Sequence, residues 1–355
     1  MDDFEYMKKA IELGRKGVGR TAPNPPVGAV IVKDGRIIGE GFHPKAGKPH
    51  AEIYALNSCT DNPAGSTLYV TLEPCCHYGK TPPCTEAIIK AGIKRVVYAV
   101  EDPNPEVACK GIRALANAGI EVLAGVCSQE AGELFGWYSK WMKTGIPFVT
   151  LKAAMTLDGY IAASNGGSKW ISSEESRQFV HELRNRMDAV LIGIGTALAD
   201  DPLLTCRMND GRDPMRIIID KNLEIPSDAK CLGDKCIIVT AASSKRIDIT
   251  DTGAKFIHTV LNKEELFDWV GIFRLLGDMG MHSVLVEGGS SIISSLLKTS
   301  IVDKIVLFIA PKILGSGIKL VSWDKTSRIE DALDLMIDNV QTKGGDIMVE
   351  ASLKG

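Results

Sequence analysis

Short apolar strands alternate with amphipathic helices along this chain, and the alternation is interrupted once, at Gly145-Ile146-Pro147. Before the break, the pattern predicts the order α-β-β-α-β-α-β-α-β, which is typical of a mixed or partly parallel sheet covered by helices. After the break, a second strand–helix series starts at Phe148 and ends in an antiparallel hairpin that turns at residues 344–346. A chain of 355 residues is long enough for two such cores. The sequence therefore predicts two α/β domains, residues 1–145 and 146–355.

The charge balance argues against a nucleic-acid-binding protein. The chain holds 41 Lys and Arg against 44 Asp and Glu, a formal net charge of −3, whereas such proteins carry a basic surface. No apolar run is long enough to cross a bilayer. The nine cysteines are too sparse for a disulfide scaffold, and the acidic start Met1-Asp2-Asp3 differs from a signal peptide. These observations predict a cytoplasmic protein without nucleic-acid or membrane partners. Independently of them, we expect a small-molecule substrate and a homo-oligomer, although oligomeric state cannot be read from one sequence.

Soft metal ligands are concentrated in the first half of the chain. The triplet His50-Ala51-Glu52 is followed by Pro-Cys at Cys75 and by Pro-Pro-Cys at Cys84. One imidazole and two thiolates form a ligand set that zinc prefers, and three protein ligands leave a fourth position for water. Zinc lowers the pKa of a bound water, and Glu52 lies close enough to His50 to move a proton between that water and a leaving nitrogen.

Other interpretations remain open from the residues alone. In a zinc-stabilised scaffold without activity, Cys76 or His77 would close the coordination as a fourth protein ligand. A deaminase of tRNA or free nucleosides with an unrelated second domain would use the same ligands. A third alternative is that only one of the two domains carries activity. Changing Glu52 to Gln distinguishes a scaffold from an enzyme, because only an enzyme loses activity while its zinc stays bound.

The His-x-Glu triplet followed by two Pro-Cys pairs resembles the signature of the zinc nucleobase-deaminase superfamily. Residues 76–83 separate the two thiols, a longer spacing than in most of that superfamily, and this block is similar to its riboflavin-pathway branch. The resemblance implies a cytidine-deaminase-like three-layer αβα fold. It implies zinc ligands at His50, Cys75 and Cys84, with Glu52 as the catalytic residue. It also implies substrate contacts at Asn24 and His43. Within the longer block between the thiols, His77 and Lys80 are suited to contact the substrate as well.

Two features of the second half bear on nucleotide binding. Gly193-Ile194-Gly195 is followed by Leu at position 198, so the G-x-G-x-x-G fingerprint of a Rossmann domain is absent. The segment from Val284 to Ser291 instead predicts a strand, a Gly-Gly turn and the start of a helix. Backbone N–H groups at such a turn bind phosphate well.

Three blocks around this turn, Lys152 to Gly159, Ser168 to Ser172 and Gly195 to Arg207, resemble the NADPH-dependent riboflavin-pathway reductase. The resemblance implies a dihydrofolate-reductase-like α/β fold for this half. Together the two halves, over residues 3–352, are similar to the family of bifunctional riboflavin-biosynthesis deaminase/reductases. That family deaminates a phosphoribosylated diaminopyrimidinone and then reduces the ribosyl group of the aminouracil product with NADPH.

The same resemblance assigns residues of the second half to ligands. Those that it places at NADPH are Ala154, Trp170, Thr196, Asp200, Gly289, Ser290 and Ser291. Those that it places at the substrate are Ser168, Arg184, Leu204, Arg207 and Glu287, and the two arginines can clamp a phosphate. Lys152 and Asp158 are candidates for proton handling when the ribose ring opens. In the first half, Cys109 stands where the family often has glycine.

Overall fold

The computed structural model describes residues 1–78, 82–105, 108–243, 246–323 and 328–354. The chain divides into two compact units, Met1–Gly145 and Ile146–Gly355. Among the described residues, no helix is both long and apolar enough to span a membrane.

The first unit is built on a five-stranded mixed sheet. Its strands are β1 (Gly28–Lys33), β2 (Arg36–Phe42), β3 (Thr67–Leu72), β4 (Arg95–Val100) and β5 (Glu121–Ala124). Its helices are α1 (Asp3–Arg15), α2 (Ala51–Asn57), α3 (Cys84–Lys90), α4 (Lys110–Asn117) and α5 (Ser128–Thr144). The strand order is β2-β1-β3-β4-β5. Strand β1 pairs antiparallel with β2 and β3, whereas β3, β4 and β5 run parallel.

Helices cover both faces of this sheet. Neighbouring residues of a strand point to opposite faces, so Val30 of β1 packs with α1 and α5, and Ile31 packs with α2, α3 and α4. Helix α1 begins at a capping box in which Asp2 and Glu5 accept each other's backbone N–H groups. These layers confirm the predicted αβα fold.

The second unit is built on a nine-stranded sheet. Its strands, with those of a separate small sheet, are β6 (Phe148–Thr156), β7 (Tyr160–Ala162), β8 (Ala189–Gly193), β9 (Met215–Ile219), β10 (Cys236–Thr240), β11 (Lys255–His258), β12 (Ser283–Val286), β13 (Val302–Ala310), β14 (Ile318–Lys319), β15 (Leu335–Lys343) and β16 (Asp346–Leu353). The large sheet has the order β11-β10-β9-β8-β12-β6-β13-β16-β15, and β7 pairs with β14 in the small one. The large sheet is parallel except at β16 and β15, which form the predicted closing hairpin.

Helices of the second unit are α6 (Glu174–Arg186), α7 (Ile194–Asp200), α8 (Ile247–Thr250), α9 (Trp269–Asp278) and α10 (Ser290–Leu297). The sequence pattern does not predict α7 or α9. Helix α7 follows β8 without a turn, so Ile194 continues the apolar run and resembles a strand residue. Helix α9 buries Trp269, Ile272, Phe273 and Leu276 along one face at helical spacing, but exposed apolar residues on its other face, such as Val270 and Leu275, obscure that period in the sequence.

Parallel strands direct their carboxyl ends to one edge of a sheet, where ligands bind in open α/β folds. In this unit, the segments that follow β6, β8, β9 and β12 meet at that edge. The predicted Gly-Gly turn lies between β12 and α10 in this group.

Candidate active sites of the two units

Three potential metal ligands converge in the first unit. The Nδ1 atom of His50 lies 3.5 Å from Cys75 Sγ and 3.3 Å from Cys84 Sγ. The ligand atoms of all three residues lie within 4.8 Å of one another, and no fourth His, Cys, Asp or Glu of the described chain joins them. Neither Cys76 nor His77 therefore closes the group, which is the arrangement of a catalytic rather than a structural zinc site.

Two helix starts hold these ligands in place. His50 is the N-cap residue of α2, and Cys84 is the first residue of α3. The Cys84 N–H group donates to Cys75 Sγ at 3.4 Å. Hydrogen bonds from Cys84 and His50 lower the pKa of Cys75 to about 4, although burial opposes this, and the bond to Cys75 raises the pKa of His50 to about 9. The thiolate form of Cys75 is the form that binds a divalent metal.

Glu52 lies beside this cluster with a free oxygen. Its side chain is 3% exposed, and its Oε2 atom has no hydrogen-bond partner in the described chain. Burial raises the pKa of this carboxyl group. A buried polar atom without a partner is costly, so the orphaned oxygen fits a site that receives a polar ligand. The donor set and Glu52 together fit zinc and its water.

Asn24 and His43 form a hydrogen-bonded pair next to the cluster. The Asn24 Nδ2 atom lies 3.1 Å from His43 Nε2, and His43 Nδ1 lies 2.9 Å from the Pro49 carbonyl oxygen. The rings of His43 and His50 meet edge to face at 5.4 Å. Burial lowers the pKa of His43, which favours the neutral ring that donates to Pro49 and accepts from Asn24. Of the other predicted substrate contacts, His77 is exposed and Lys80 lies outside the described residues.

The second unit contains a cavity of about 1350 Å³ at the carboxyl edge of its sheet. This volume exceeds that of a typical pocket for one small ligand, so it can take a dinucleotide and a second molecule. The cavity is lined by most of the residues that the sequence assigns to it: Lys152, Ala154, Ser168, Trp170, Arg184, Thr196, Asp200, Leu204, Arg207, Glu287, Gly289, Ser290 and Ser291.

The exception is Asp158, which does not line this cavity. Its carboxylate accepts the Thr156 hydroxyl at 2.6 Å and the backbone N–H groups of Leu314 and Gly315 at 3.1 and 2.7 Å. These hydrogen bonds lower its pKa to about 2. Asp158 therefore anchors a neighbouring loop, and of the two predicted proton-handling residues the structure brings only Lys152 into the cavity.

A buried ionic cluster occupies one wall of the cavity. Arg184 donates to both carboxylate oxygens of Glu287, at 2.7 and 3.0 Å, and to the Thr205 carbonyl at 3.1 Å. Lys152 Nζ lies 4.0 Å from Glu287 Oε2. Burial lowers the pKa of Lys152, while Arg184 and Lys152 hold the pKa of Glu287 low against the effect of burial. Because Arg184 is engaged in this way, Arg207 is the more available cation for an anionic ligand.

Residues 201–207 approach the cavity in a strained conformation. Asp201, Leu204 and Arg207 have φ angles of 42°, 55° and 53°, a region that residues other than glycine seldom adopt. His181 of α6 helps to hold this segment, with its Nδ1 atom 3.2 Å from the Thr205 carbonyl oxygen. His181 also lines the cavity, and it is not among the site residues predicted from the sequence. Its position three residues before Arg184, on the same face of the helix, is the signal that could have found it.

Comparison with known proteins gives consistent matches in both units. Residues 1–100 match the cytidine and deoxycytidylate deaminase zinc-binding region, and residues 147–349 match the RibD C-terminal domain. The riboflavin biosynthesis protein RibD of Aquifex aeolicus is 44% identical over 98% of this chain and 97% of its own length.

Two solved structures are similar to this chain over 99% of its length. Acinetobacter baumannii RibD superposes with a TM-score of 0.90 at 38% identity, covering 99% of each chain. A diaminohydroxyphosphoribosylaminopyrimidine deaminase/5-amino-6-(5-phosphoribosylamino)uracil reductase from Thermotoga maritima superposes with a TM-score of 0.86 at 39% identity, again covering 99% of each chain.

Proposed function

This chain belongs to the RibD family of bifunctional riboflavin-biosynthesis enzymes, and from that membership we propose how its residues divide the two reactions. The enzyme is a zinc-dependent deaminase and an NADPH-dependent reductase. We assign deamination to residues 1–145 and reduction to residues 146–355. The substrate is a phosphoribosylated diaminopyrimidinone, and its deaminated product is the substrate of the second reaction.

His50, Cys75 and Cys84 would hold zinc, which when bound supplies a water molecule of lowered pKa. Glu52 takes a proton from the water and passes one to the amino nitrogen that leaves. With zinc bound, the oxygen of that water would form a bond to the ring carbon as the carbon–nitrogen bond breaks, and the amino group would leave as ammonia. Asn24, His43, His77 and Lys80 are the proposed substrate contacts in this unit. The observation that supports the assignment is the orphaned Glu52 oxygen beside three convergent ligands.

In the second unit, NADPH when bound supplies the hydride that reduces C1 of the opened ribose. We assign its binding to Ala154, Trp170, Thr196, Asp200 and the turn formed by Gly289, Ser290 and Ser291. Lys152 is the proposed group that passes a proton as the ribose ring opens, because burial lowers its pKa. Ser168, Arg184, Leu204, Arg207 and Glu287 are the proposed substrate contacts, with Arg207 directed to the phosphate.

Ammonia release by purified, zinc-loaded enzyme tests this assignment of the two reactions to the two units. The phosphoribosyl diaminopyrimidinone should yield ammonia without NADPH, and NADPH oxidation should begin only after deamination. Enzyme that binds one zinc per chain but releases no ammonia would contradict the assignment of the first site. Ammonia release without any later NADPH oxidation would contradict the assignment of the second.

The proposal includes a cytoplasmic homo-oligomer. Strand β15 lies at the edge of the nine-stranded sheet, and its Met336, Ile337 and Val340 side chains are 55%, 56% and 57% exposed. Apolar edge strands are commonly covered in the native assembly, and a second copy of the chain is the simplest cover. The thiolate ligand Cys75 supports a reducing compartment such as the cytoplasm.

A further inference from the structure

Glu73 is a buried carboxylate that the proposed mechanism does not use. It follows β3, precedes Cys75 by two residues and is 3% exposed. Its oxygens accept four backbone N–H groups from one stretch of chain. Oε2 accepts from Asp102 at 3.4 Å and Cys109 at 3.0 Å, and Oε1 accepts from Gly111 at 3.1 Å and Ile112 at 3.4 Å.

These donors belong to the loop between β4 and α4 and to the first turn of α4. The first-turn N–H groups of a helix need an external acceptor. The N-cap residue of α4, Cys109, makes no side-chain cap hydrogen bond, and its φ of 58° lies in the left-handed region that favours glycine. Glu73 therefore caps α4 from a different element of the fold.

The start of α4 also lies against the backbone that leads to Cys75. A Cβ atom on Gly111 would be 2.0 Å from the Pro74 carbonyl oxygen, so only glycine permits this approach. On the other side, Cys84 N–H lies 3.4 Å from Cys75 Sγ, and Thr85 N–H donates to the Cys75 carbonyl at 3.2 Å. The segment from Glu73 to Cys75 is thus held between the starts of α4 and α3.

We propose that Glu73 is a positioning residue for deamination, whose carboxylate holds the backbone of Asp102 and Cys109 together with the start of α4, which lies against Pro74, and so places Cys75 for metal binding. This inference rests on the proposed metal site. The same anchor includes Asp102, whose side chain accepts the Asn104 N–H at 2.9 Å and the Tyr138 hydroxyl at 3.2 Å. Removing the partners that orient metal ligands commonly changes metal affinity or activity by about 10–100-fold.

Glu73→Gln in the full-length, zinc-loaded enzyme is the direct test. The amide keeps the shape of the carboxylate but turns one acceptor into a donor that faces backbone donors. We expect zinc affinity, measured by competition with a chromophoric chelator, to fall about 10–100-fold. At saturating zinc, kcat for ammonia release should fall while KM changes little. NADPH oxidation with the phosphoribosylaminouracil substrate, measured on the same sample, should not change.

Two further variants separate positioning from general stability. Gly111→Ala keeps the carboxylate but forces α4 away from Pro74, so we expect zinc affinity and kcat to change in the same direction as in Glu73→Gln. Asp2→Ala removes the capping carboxylate of α1. It is the matched control, expected to lower Tm without changing zinc affinity.

A purely structural role for Glu73 predicts a lower Tm with zinc affinity and kcat unchanged, as in the Asp2 control, and that result would overturn the proposal. Loss of both activities in Glu73→Gln and Gly111→Ala would also overturn it, because Glu73 would then support folding in general. Cys75→Ser separates a failure of the proposed metal site from a failure of the positioning role of Glu73. If that variant keeps zinc and ammonia release, the metal site itself is wrong. If it loses both while Glu73→Gln keeps both, only the positioning role is wrong.

Discussion

Arg184 and Glu287 are joined by two N–H···O bonds, of 2.7 and 3.0 Å, across 103 residues of sequence. Their side chains are 12% and 9% exposed, and Lys152 lies 4.0 Å from the same carboxylate. Glu287 is thus the shared counter-ion of two buried cations. The charges that form this wall of the reductase cavity come from segments that are far apart in the sequence, so no single segment shows the cluster.

Replacing Glu287 with Gln should destabilise the second unit strongly. Removing one partner from a buried ion pair leaves uncompensated charge, at a cost of about 3–5 kcal/mol in the free energy of unfolding. Urea denaturation followed by tryptophan fluorescence measures the change. Glu265→Gln is the matched control, because Glu265 pairs with Lys221 at 2.8 Å but is 81% exposed, and an ion pair open to solvent contributes little to stability, so we expect a much smaller loss there. Equal losses in the two variants would contradict the role given to the buried cluster.

Glu52→Gln should abolish deamination without removing zinc. The amide fills the same buried position but cannot accept the proton, and general acid–base catalysis of this kind is worth about 10²–10⁴-fold in rate. Ammonia release should therefore fall by that factor, while zinc content and NADPH oxidation with the aminouracil substrate stay at the level of the parent. Zinc loss equal to the loss of activity would show that Glu52 supports the metal rather than the proton transfer.

Cys84→Ser and Cys76→Ser form a matched pair for the metal site. Cys84 Sγ lies 3.3 Å from His50 Nδ1, whereas Cys76 stays outside the convergent group. The Cys84 variant should lose zinc and ammonia release together, and the Cys76 variant should keep both. Zinc content by atomic absorption after gel filtration makes the comparison. Dialysis of the parent against a chelator should likewise stop deamination but leave the reductase active. If the Cys76 variant lost zinc, a fourth protein ligand would have to be assigned.

Local patterns in the sequence predict most elements of this fold, because each depends on residues close together in the chain. The closing hairpin, for example, turns within the predicted residues 344–346, between Lys343 of β15 and Asp346 of β16. The proposed metal ligands could also be predicted, since the residue types that bind zinc and their spacing can be read directly from the sequence. The partnership of Arg184 with Glu287 is not, because it depends on which loops meet at the carboxyl edge of the sheet. The same reason explains why Asp158, assigned to proton handling from its motif, proves to bind a loop more than 150 residues away.

Asp158 gives the second unit a specific sensitivity to acid. Hydrogen bonds from Thr156 and from the N–H groups of Gly315 and Leu314 lower its pKa from 3.8 to about 2 in the folded protein. A carboxylate whose pKa is lower in the folded state contributes stability above its unfolded pKa and loses it as pH falls through the folded value. This contribution should therefore be complete above about pH 4 and disappear toward pH 2.

Melting temperatures of the parent and of Asp158→Asn, measured from pH 6 to pH 2, test this expectation. The variant should be less stable at pH 6, and the difference between the two curves should close as the pH falls below 4. A difference that stays constant over the whole range would mean that ionisation of Asp158 does not stabilise the loop.

Ile337→Lys should weaken the proposed homo-oligomer. Ile337 lies on β15, the edge strand of the nine-stranded sheet, and is 56% exposed. A charged side chain on an apolar edge strand opposes pairing with another chain. Light scattering coupled to gel filtration should therefore give a lower molar mass for the variant than for the parent at the same concentration. Ile247→Lys, at a residue of α8 that is 74% exposed, is the matched control and should keep the parental mass. If both variants keep that mass, the copies associate through another surface. If the parent itself is monomeric, the exposed apolar side chains of β15 do not form an interface between copies of the chain.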